Sequence, residues 1–376
     1  MHAVIRHIKQ FDWLLMGAIF LLNGLGLITL FSLESVSAFP FFTRQLVWFA
    51  VGCVLLIAAS FIDFRLFRTQ TVAVLFFYSV SVTLLGMVLL LSFQVRGIEA
   101  WLRIGSFVLQ PVEPAKLALI ILLAKYFSKR HIEIYRIHHL IVSGIYLALP
   151  ASLVLLQPDL GSAIVLIAIW GGMVVFSGMK LRHIALLFFV SLILISALWQ
   201  FGLEPYQKAR ITSFLNPYAD PKGAGYQMIQ SMIAVGSGQI WGKGLGYGSQ
   251  SHLNFLPEAE TDFIFAAFAE EWGFVGIMVL LSLLSIIFWR IIRIGQLSAD
   301  NFSRLYAIGF TALLFIQSFI HIGMNMGVLP ITGITLPFVS YGGSSLVSLL
   351  MGVGILQNIK INARPITAAK NEADFG

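Results

Sequence analysis

Phe255-Leu256-Pro257-Glu258-Ala259-Glu260-Thr261-Asp262-Phe263-Ile264-Phe265 carries the chain from a long polar segment into a sustained apolar run. A carboxylate at such a boundary can meet both water and lipid. Local context admits an N-cap, because Thr or Asp before a hydrophobic run satisfies the first orphan amides of a helix. It equally admits a reactive group at a membrane surface, since the segment before it is crowded with Gly, Arg, Gln and acidic residues.

Outward from this stretch the chain is membrane-like. Of its 376 residues, 58% are hydrophobic and only 11% charged, far from the balance of a soluble domain. The expected fold is all-α and polytopic, one membrane domain over residues 1–376 with a cytoplasmic tail at 361–376. Ten spans are expected at 12–33, 44–62, 72–93, 110–127, 138–156, 160–177, 183–200, 263–289, 305–326 and 340–359, most near the ~20 residues needed to cross the hydrocarbon. The first apolar run is too long for a cleavable signal and lacks a small-residue cleavage site, so it is expected to stay as a helix. The single Cys53 excludes an intrachain disulfide.

With the N-terminus inside, the inner segments hold Arg6, Lys9, Arg65, Arg68, Lys125, Lys129, Arg130, Arg136, Lys180, Arg182, Arg290, Arg293, Arg304, Lys360, Arg364 and Lys370, sixteen of 24 Lys and Arg. The positive-inside bias therefore puts both termini in the cytoplasm and residues 201–262 outside, between spans seven and eight. The net charge of +7 reflects that bias. No nucleic-acid motif accompanies it.

Three connections on the outer side stand out. In 95–114, Trp101 suits an interfacial anchor, and Glu113 and Lys116 share one helix face at i, i+3 behind Pro114. Ionisable groups at membrane depth mark either a polar chamber or a structural ion pair. In Gln157-Pro158-Asp159-Leu160-Gly161, Asp159 suits a cap on the sixth span. The third connection, 201–262, exceeds by far the ~12–15 residues at which an unstructured loop becomes unusual. Its glycines and Arg210, Lys222 and Lys243 could cradle a phosphate. Gly242-Lys243-Gly244 lacks P-loop spacing. Residues 225–234 read as a short amphipathic helix, suited to the bilayer surface.

Residues 210–276, with Leu256-Pro257-Glu258, Thr261-Asp262-Phe263-Ile264-Phe265-Ala266 and Glu270-Glu271-Trp272-Gly273, resemble the SEDS family of shape, elongation, division and sporulation proteins. So do Trp101-Leu102-Arg103-Ile104-Gly105, Gln110-Pro111-Val112-Glu113 with Lys116, the Gln157–Gly161 turn, and the 329–345 segment from Leu329-Pro330 to Tyr341-Gly342-Gly343-Ser344-Ser345. Pro114 departs from the apolar residue more usual there. The short N-terminus and Phe42-Thr43-Arg44-Gln45-Leu46-Val47-Trp48 resemble the elongation branch, RodA, of the family most.

The resemblance implies a peptidoglycan glycosyltransferase in the bacterial plasma membrane. It would polymerise lipid II into glycan strands on the outer face for cell elongation and rod shape, releasing undecaprenyl pyrophosphate. It also implies work beside a class B penicillin-binding protein and other membrane proteins of the elongation complex. The acceptor hydroxyl attacks an anomeric carbon and inverts it, which calls for a base, and Asp262 is the candidate. Arg103, Lys116, Arg210, Lys243 or a divalent cation such as Mg or Mn would offset charge on the pyrophosphate. Asp159 and Glu258 complete the expected cavity set. Glu270 and Glu271 lie eight and nine residues past Asp262, about 12 to 13 Å deeper on an ideal helix, and read as structural or cavity-lining groups. A lipid-linked precursor flippase and a non-catalytic scaffold for a transpeptidase are the alternatives.

Overall fold

The computed structural model describes residues 2–35, 39–91, 101–104, 107–129, 137–202, 205–219, 223 and 225–362. In chain order the helices are α1 (His2–Lys9), α2 (Trp13–Glu34), α3 (Phe41–Phe61), α4 (Arg65–Thr69), α5 (Thr71–Leu91), α6 (Val112–Lys129), α7 (Ile137–Leu156) and α8 (Leu160–Phe176). There follow α9 (Leu181–Ala197), α10 (Pro205–Leu215), α11 (Tyr226–Ser237), α12 (Ser249–His252), α13 (Ile264–Leu297), α14 (Asn301–Asn325) and α15 (Gly343–Asn362). Each of the ten apolar runs read from the sequence carries one long helix. Seven of these (α2, α3, α5, α7, α13, α14 and α15) are long and apolar enough to cross a membrane, and α8 is apolar but shorter. The charged α6 is almost wholly buried.

Short polar side chains start the helices where the sequence offers them. Asp12 Oδ1 accepts from the Leu15 amide at 3.0 Å, Asp159 Oδ1 from Ser162 at 2.9 Å and Asp300 Oδ1 from Ser303 at 2.9 Å. The Asp159 cap is therefore formed as expected. Asp12 also accepts from Arg290 Nε at 3.1 Å, and its own amide donates to Gln357 Oε1 at 2.8 Å. One residue thus ties the start of α2 to the far end of α13 and to α15. Stacked rings of Phe64, Phe302, Tyr306 and Phe310, with centroids 6.2 to 6.4 Å apart, fill the interior near α14. The Tyr306 hydroxyl, fully buried, donates to Gly352 O at 3.0 Å, which offsets its burial.

The fold is mostly helical, as expected, with one short β ribbon beside the helices. Leu102–Ile104 (β1) and Phe107–Leu109 (β2) form an antiparallel pair in which Arg103 faces Val108. This small ribbon docks on α15, where the Gln110 amide donates to Ser344 Oγ at 3.1 Å.

A first correction concerns the eighth span, read as one continuous helix ending at 289. It runs to Leu297 and is broken at Gly273, whose φ of 64° and ψ of −164° are non-helical. Those angles lie in a region that only glycine occupies readily. The break frees backbone groups that hydrocarbon cannot satisfy, and residues 239–244 supply the partners. The Lys243 and Gly244 amides donate to Glu270 O and Glu271 O, each at 3.0 Å. In return Phe274 and Val275 donate to Gln239 O at 2.8 Å and Ile240 O at 3.1 Å. A β-carbon at Gly242 would collide with the Glu271 and Trp272 backbone, so the glycine-rich segment is a close-packing device at this break.

The second correction is α11. It was expected over 225–234 on the bilayer surface, but it runs Tyr226–Ser237 and buries Met228, Ser231 and Ala234 against the bundle. Ser231 Oγ donates to Asn325 O at 2.8 Å, which fixes α11 to the end of α14. The 201–262 connection is thus largely helical.

Candidate active site

Asp262 is the second residue before α13 and is half-buried. The N-cap reading fails for it: the cap position is Phe263, which makes no side-chain cap bond. The third helical amide, that of Ala266, donates instead to Asn325 Oδ1 at 3.1 Å, from the far end of α14. Asn325 Nδ2 donates to the Asp262 carbonyl at 3.0 Å and to His321 O at 2.8 Å. A side chain distant in sequence therefore serves the helix start.

The turn leading to Asp262 is equally constrained. Glu258 has a positive φ of 55°, and its carbonyl accepts from the Thr261 and Phe263 amides at 3.2 and 3.1 Å. Its carboxylate accepts from Thr261 Oγ1 at 3.4 Å, so the expected cavity residue Glu258 shapes the turn. Across from it, Ser340 Oγ donates to Thr261 O at 2.9 Å and the Tyr341 amide donates to Glu260 O at 2.9 Å. Beneath lies an apolar floor of Leu33, Met228, Ala234, Leu256, Ala259, Phe263, Ala266, Ala267 and Ile331.

The opposing wall is residues 330–342, a non-helical stretch held by side chains from the surrounding helices. Asn23 Nδ2 donates to Phe338 O at 2.9 Å, Gln45 Nε2 to Ser340 O at 3.1 Å and His321 Nδ1 to Ile334 O at 2.7 Å. Irregular backbone inside a membrane bundle is tolerated where protein satisfies it or where it borders a cavity. A β-carbon at Gly333 would stand 3.6 Å from Asp262 Oδ2, and one at Gly161 would strike Thr332 O. The Asp159 turn and Asp262 therefore flank the same three residues, 332–334.

The remaining expected residues divide clearly. Lys116 Nζ pairs with Glu113 Oε1 at 2.7 Å, both side chains nearly inaccessible, so the i, i+3 pair forms. Arg210 lies half-exposed in α10. The backbone of Arg103 is on β1, and its side chain lies outside the described residues, as does Lys222. Lys243, expected at the phosphates, bonds Glu270 Oε1 at 2.7 Å and Ser249 Oγ at 2.8 Å. Its charge is matched within the protein.

Glu270 and Glu271 are structural, as expected, and their partners explain how. Glu270, fully buried, also accepts from the Gln250 amide at 3.0 Å and the Ser251 amide and hydroxyl at 3.2 and 3.1 Å. Glu271 Oε1 accepts from Ser32 Oγ at 2.5 Å and the Gly246 amide at 3.1 Å. Beside this contact a cavity of about 370 Å³ is lined by Ile28, Phe31, Ser32, Glu34, Ser35, Leu245 and Gly246. Among the described residues, no three His, Cys, Asp or Glu side chains group as metal ligands.

Asn325 is the side chain at this site that the sequence did not single out. Gln317, His321 and Asn325 recur at i, i+4, i+8 on α14 and are all fully buried. A polar stripe on an apolar membrane helix was the available signal.

The family model for cell cycle proteins of the FtsW, RodA and SpoVE type matches residues 11–365. Stage V sporulation protein E of Bacillus subtilis is 38% identical over 365 residues, 94% of this chain and 98% of that protein. Peptidoglycan glycosyltransferase MrdB of Escherichia coli is 37% identical over 325 residues, 86% of each. A chain solved in work on the coordination of polymerization and crosslinking by a peptidoglycan synthase complex superposes with a TM-score of 0.78 at 33% identity, over 94% of this chain and 98% of that one. With seven helices long and apolar enough to cross a membrane among the described residues and the ordered motifs, these matches make the chain a multi-pass membrane protein of the SEDS family, that of FtsW, RodA and SpoVE.

Proposed function

We propose that this peptidoglycan glycosyltransferase joins glycan units from lipid II on the outer face of the plasma membrane, with Asp262 as its general base. The observation that carries the assignment is the seam between 256–262 and 330–342: the half-buried Asp262 precedes a helix start capped by Asn325, and Asn325 and Ser340 donate to the backbone carbonyls of Asp262 and Thr261. In the reaction the acceptor hydroxyl attacks the anomeric carbon of the lipid-linked donor while its proton passes to Asp262. The bond to the pyrophosphate breaks as the glycosidic bond forms, and undecaprenyl pyrophosphate leaves with the electron pair. Pyrophosphate is a good leaving group, so the step needs no second carboxylic acid.

Arg103 and Arg210 are the leading candidates to face the pyrophosphate, alone or with a divalent cation. Lys116 and Lys243 are weaker ones, since Glu113 and Glu270 already neutralise them. Glu113 orients Lys116, and Asp159 caps α8, whose Gly161 abuts Thr332. Both termini are assigned to the cytoplasm by the Lys and Arg distribution.

The elongation role rests on the 42–48 sequence that opens α3, because the sporulation and MrdB relatives differ by one percentage point in identity. A class B penicillin-binding protein is the proposed partner, supported by the fold match to a chain from a synthase complex that couples polymerization with crosslinking. A broken helix also suits a flippase, but the groups freed at Gly273 bond residues 239–244. Purified protein in liposomes with labelled lipid II tests the reading. Glycan chains and free undecaprenyl pyrophosphate are expected; monomer crossing the bilayer without polymer would favour the flippase.

A further inference from the structure

We infer that Asn325 is a positioning residue for Asp262, setting the direction in which its carboxylate meets the acceptor hydroxyl; this rests on the base role proposed above. Asn325 is fully buried at the last turn of α14. Its amide engages both sides of the site at once. Nδ2 donates to Asp262 O at 3.0 Å and to His321 O at 2.8 Å, while Oδ1 accepts from Ala266 N at 3.1 Å. A carboxamide offers two donors and one acceptor oxygen, and both donors and the oxygen are engaged.

The consequence is geometric. Asp262 and Ala266 bracket the first turn of α13, and one planar group fixes the carbonyl of the first and the amide of the second. Rotation of the Asp262 peptide, which would swing its side chain toward or away from Gly333, breaks the bond to Nδ2. A conventional cap from Asp262 itself would satisfy the helix start but would turn the carboxylate onto backbone amides. Here the cap comes from Asn325 on α14 instead. It also links the site to α11, because Ser231 donates to the Asn325 carbonyl at 2.8 Å. No aspartate, serine or leucine offers the same set: each lacks either the two donors or the acceptor.

General-base catalysis depends steeply on placement, and a misplacement of about 1 Å costs about 100-fold. The test compares purified parent, Asn325→Ala and Asn325→Ser in lipid II polymerisation, with kcat, KM and the pH–rate profile measured on protein that elutes as a folded species. The serine variant retains an oxygen for the Ala266 amide, which protects folding if alanine fails to yield protein, but it loses the two donors. The expected result is a fall in kcat of about 100-fold with KM within about threefold, together with a displaced acidic limb of the pH profile. A role in stability alone would lower the yield or melting temperature while kcat per folded molecule and the pH profile stay at the parent values, and that result overturns the inference. Asp262→Asn, run in parallel, separates the two claims. If it polymerises normally, the base assignment fails; if it is inactive while both Asn325 variants match the parent, only the positioning role fails. In the double variant Asp262→Asn, Asn325→Ser, no further loss beyond Asp262→Asn is expected, since both changes act on one step.

Discussion

Replacing Glu270 with glutamine should unfasten the glycine-rich segment from α13 without unfolding the bundle. The parent carboxylate accepts from Lys243 Nζ at 2.7 Å, the Gln250 and Ser251 amides at 3.0 and 3.2 Å, and the Ser249 and Ser251 hydroxyls at 3.3 and 3.1 Å. Glutamine keeps the volume but brings an NH₂ group that can accept from none of them, and it removes the charge from the remaining bonds. Hydrogen bonds to a charged group contribute about 1.5–3 kcal/mol each. Lys243 would regain water, since its side chain is 29% exposed, which reduces the net cost to about 2–3 kcal/mol. At 1.4 kcal/mol per decade that is an increase of about 30- to 140-fold in the open fraction. Native-state trypsin cleavage after Lys243 reads this fraction when opening is fast relative to cleavage. A cleavage rate within threefold of the parent, at matched folding, would refute the idea that Glu270 holds residues 243–251.

Further outcomes follow from the same contacts. Glu271→Gln should open the segment less, because among the described residues Glu271 accepts from Ser32 and the Gly246 amide, with His252 Nε2 at 3.9 Å, fewer bonds than Glu270 makes; the same trypsin assay ranks the two. Gly273→Ala should cut the amount of folded protein recovered in detergent, since a β-carbon there would meet the Gly242 amide and the Ile240 and Gly238 carbonyls; parent-level yield would contradict the account of the helix break. Glu113→Ala and Lys116→Ala should each cost about 3–5 kcal/mol of stability by stranding a buried charge, and polymerisation should fall strongly. The charge-swapped double variant should recover melting temperature more than activity, and full recovery of activity would make the pair purely structural. Polymerisation by this chain should rise when a class B penicillin-binding protein lacking its transpeptidase serine is added, because a partner accelerates by favouring the competent arrangement; equal rates at saturation would leave the partner a localising role.

Much of the helix set was legible in the sequence because each helix is an apolar run of nearly membrane length, and that signal is local. The Asp159 cap and the Glu113–Lys116 pair were legible for the same reason, since three or four residues determine each. The break at Gly273 was not: a lone glycine after Glu270-Glu271-Trp272 does not by itself mark a kink, and the backbone that completes it arrives from some 30 residues upstream. The pairing of Lys243 was hidden by the same limit, because its counter-charge lies across a tertiary contact on α13. Asn325 was hidden because its amide joins α14 to the start of α13, and only packing of those helices gives the side chain a purpose. Asp262 was found from its position at a polar-to-apolar boundary, although the helix it precedes is capped by another residue.

Polymerisation of labelled lipid II by purified Asp262→Asn, measured alongside lipid II binding and the melting temperature, tests the central claim most directly. Asparagine preserves size and leaves the bond from Asn325 to the residue 262 carbonyl in place, but it cannot take the acceptor proton. The account predicts a folded protein that binds lipid II as the parent does and makes no glycan strand at any pH. Glycan synthesis at the parent rate by that variant would contradict it.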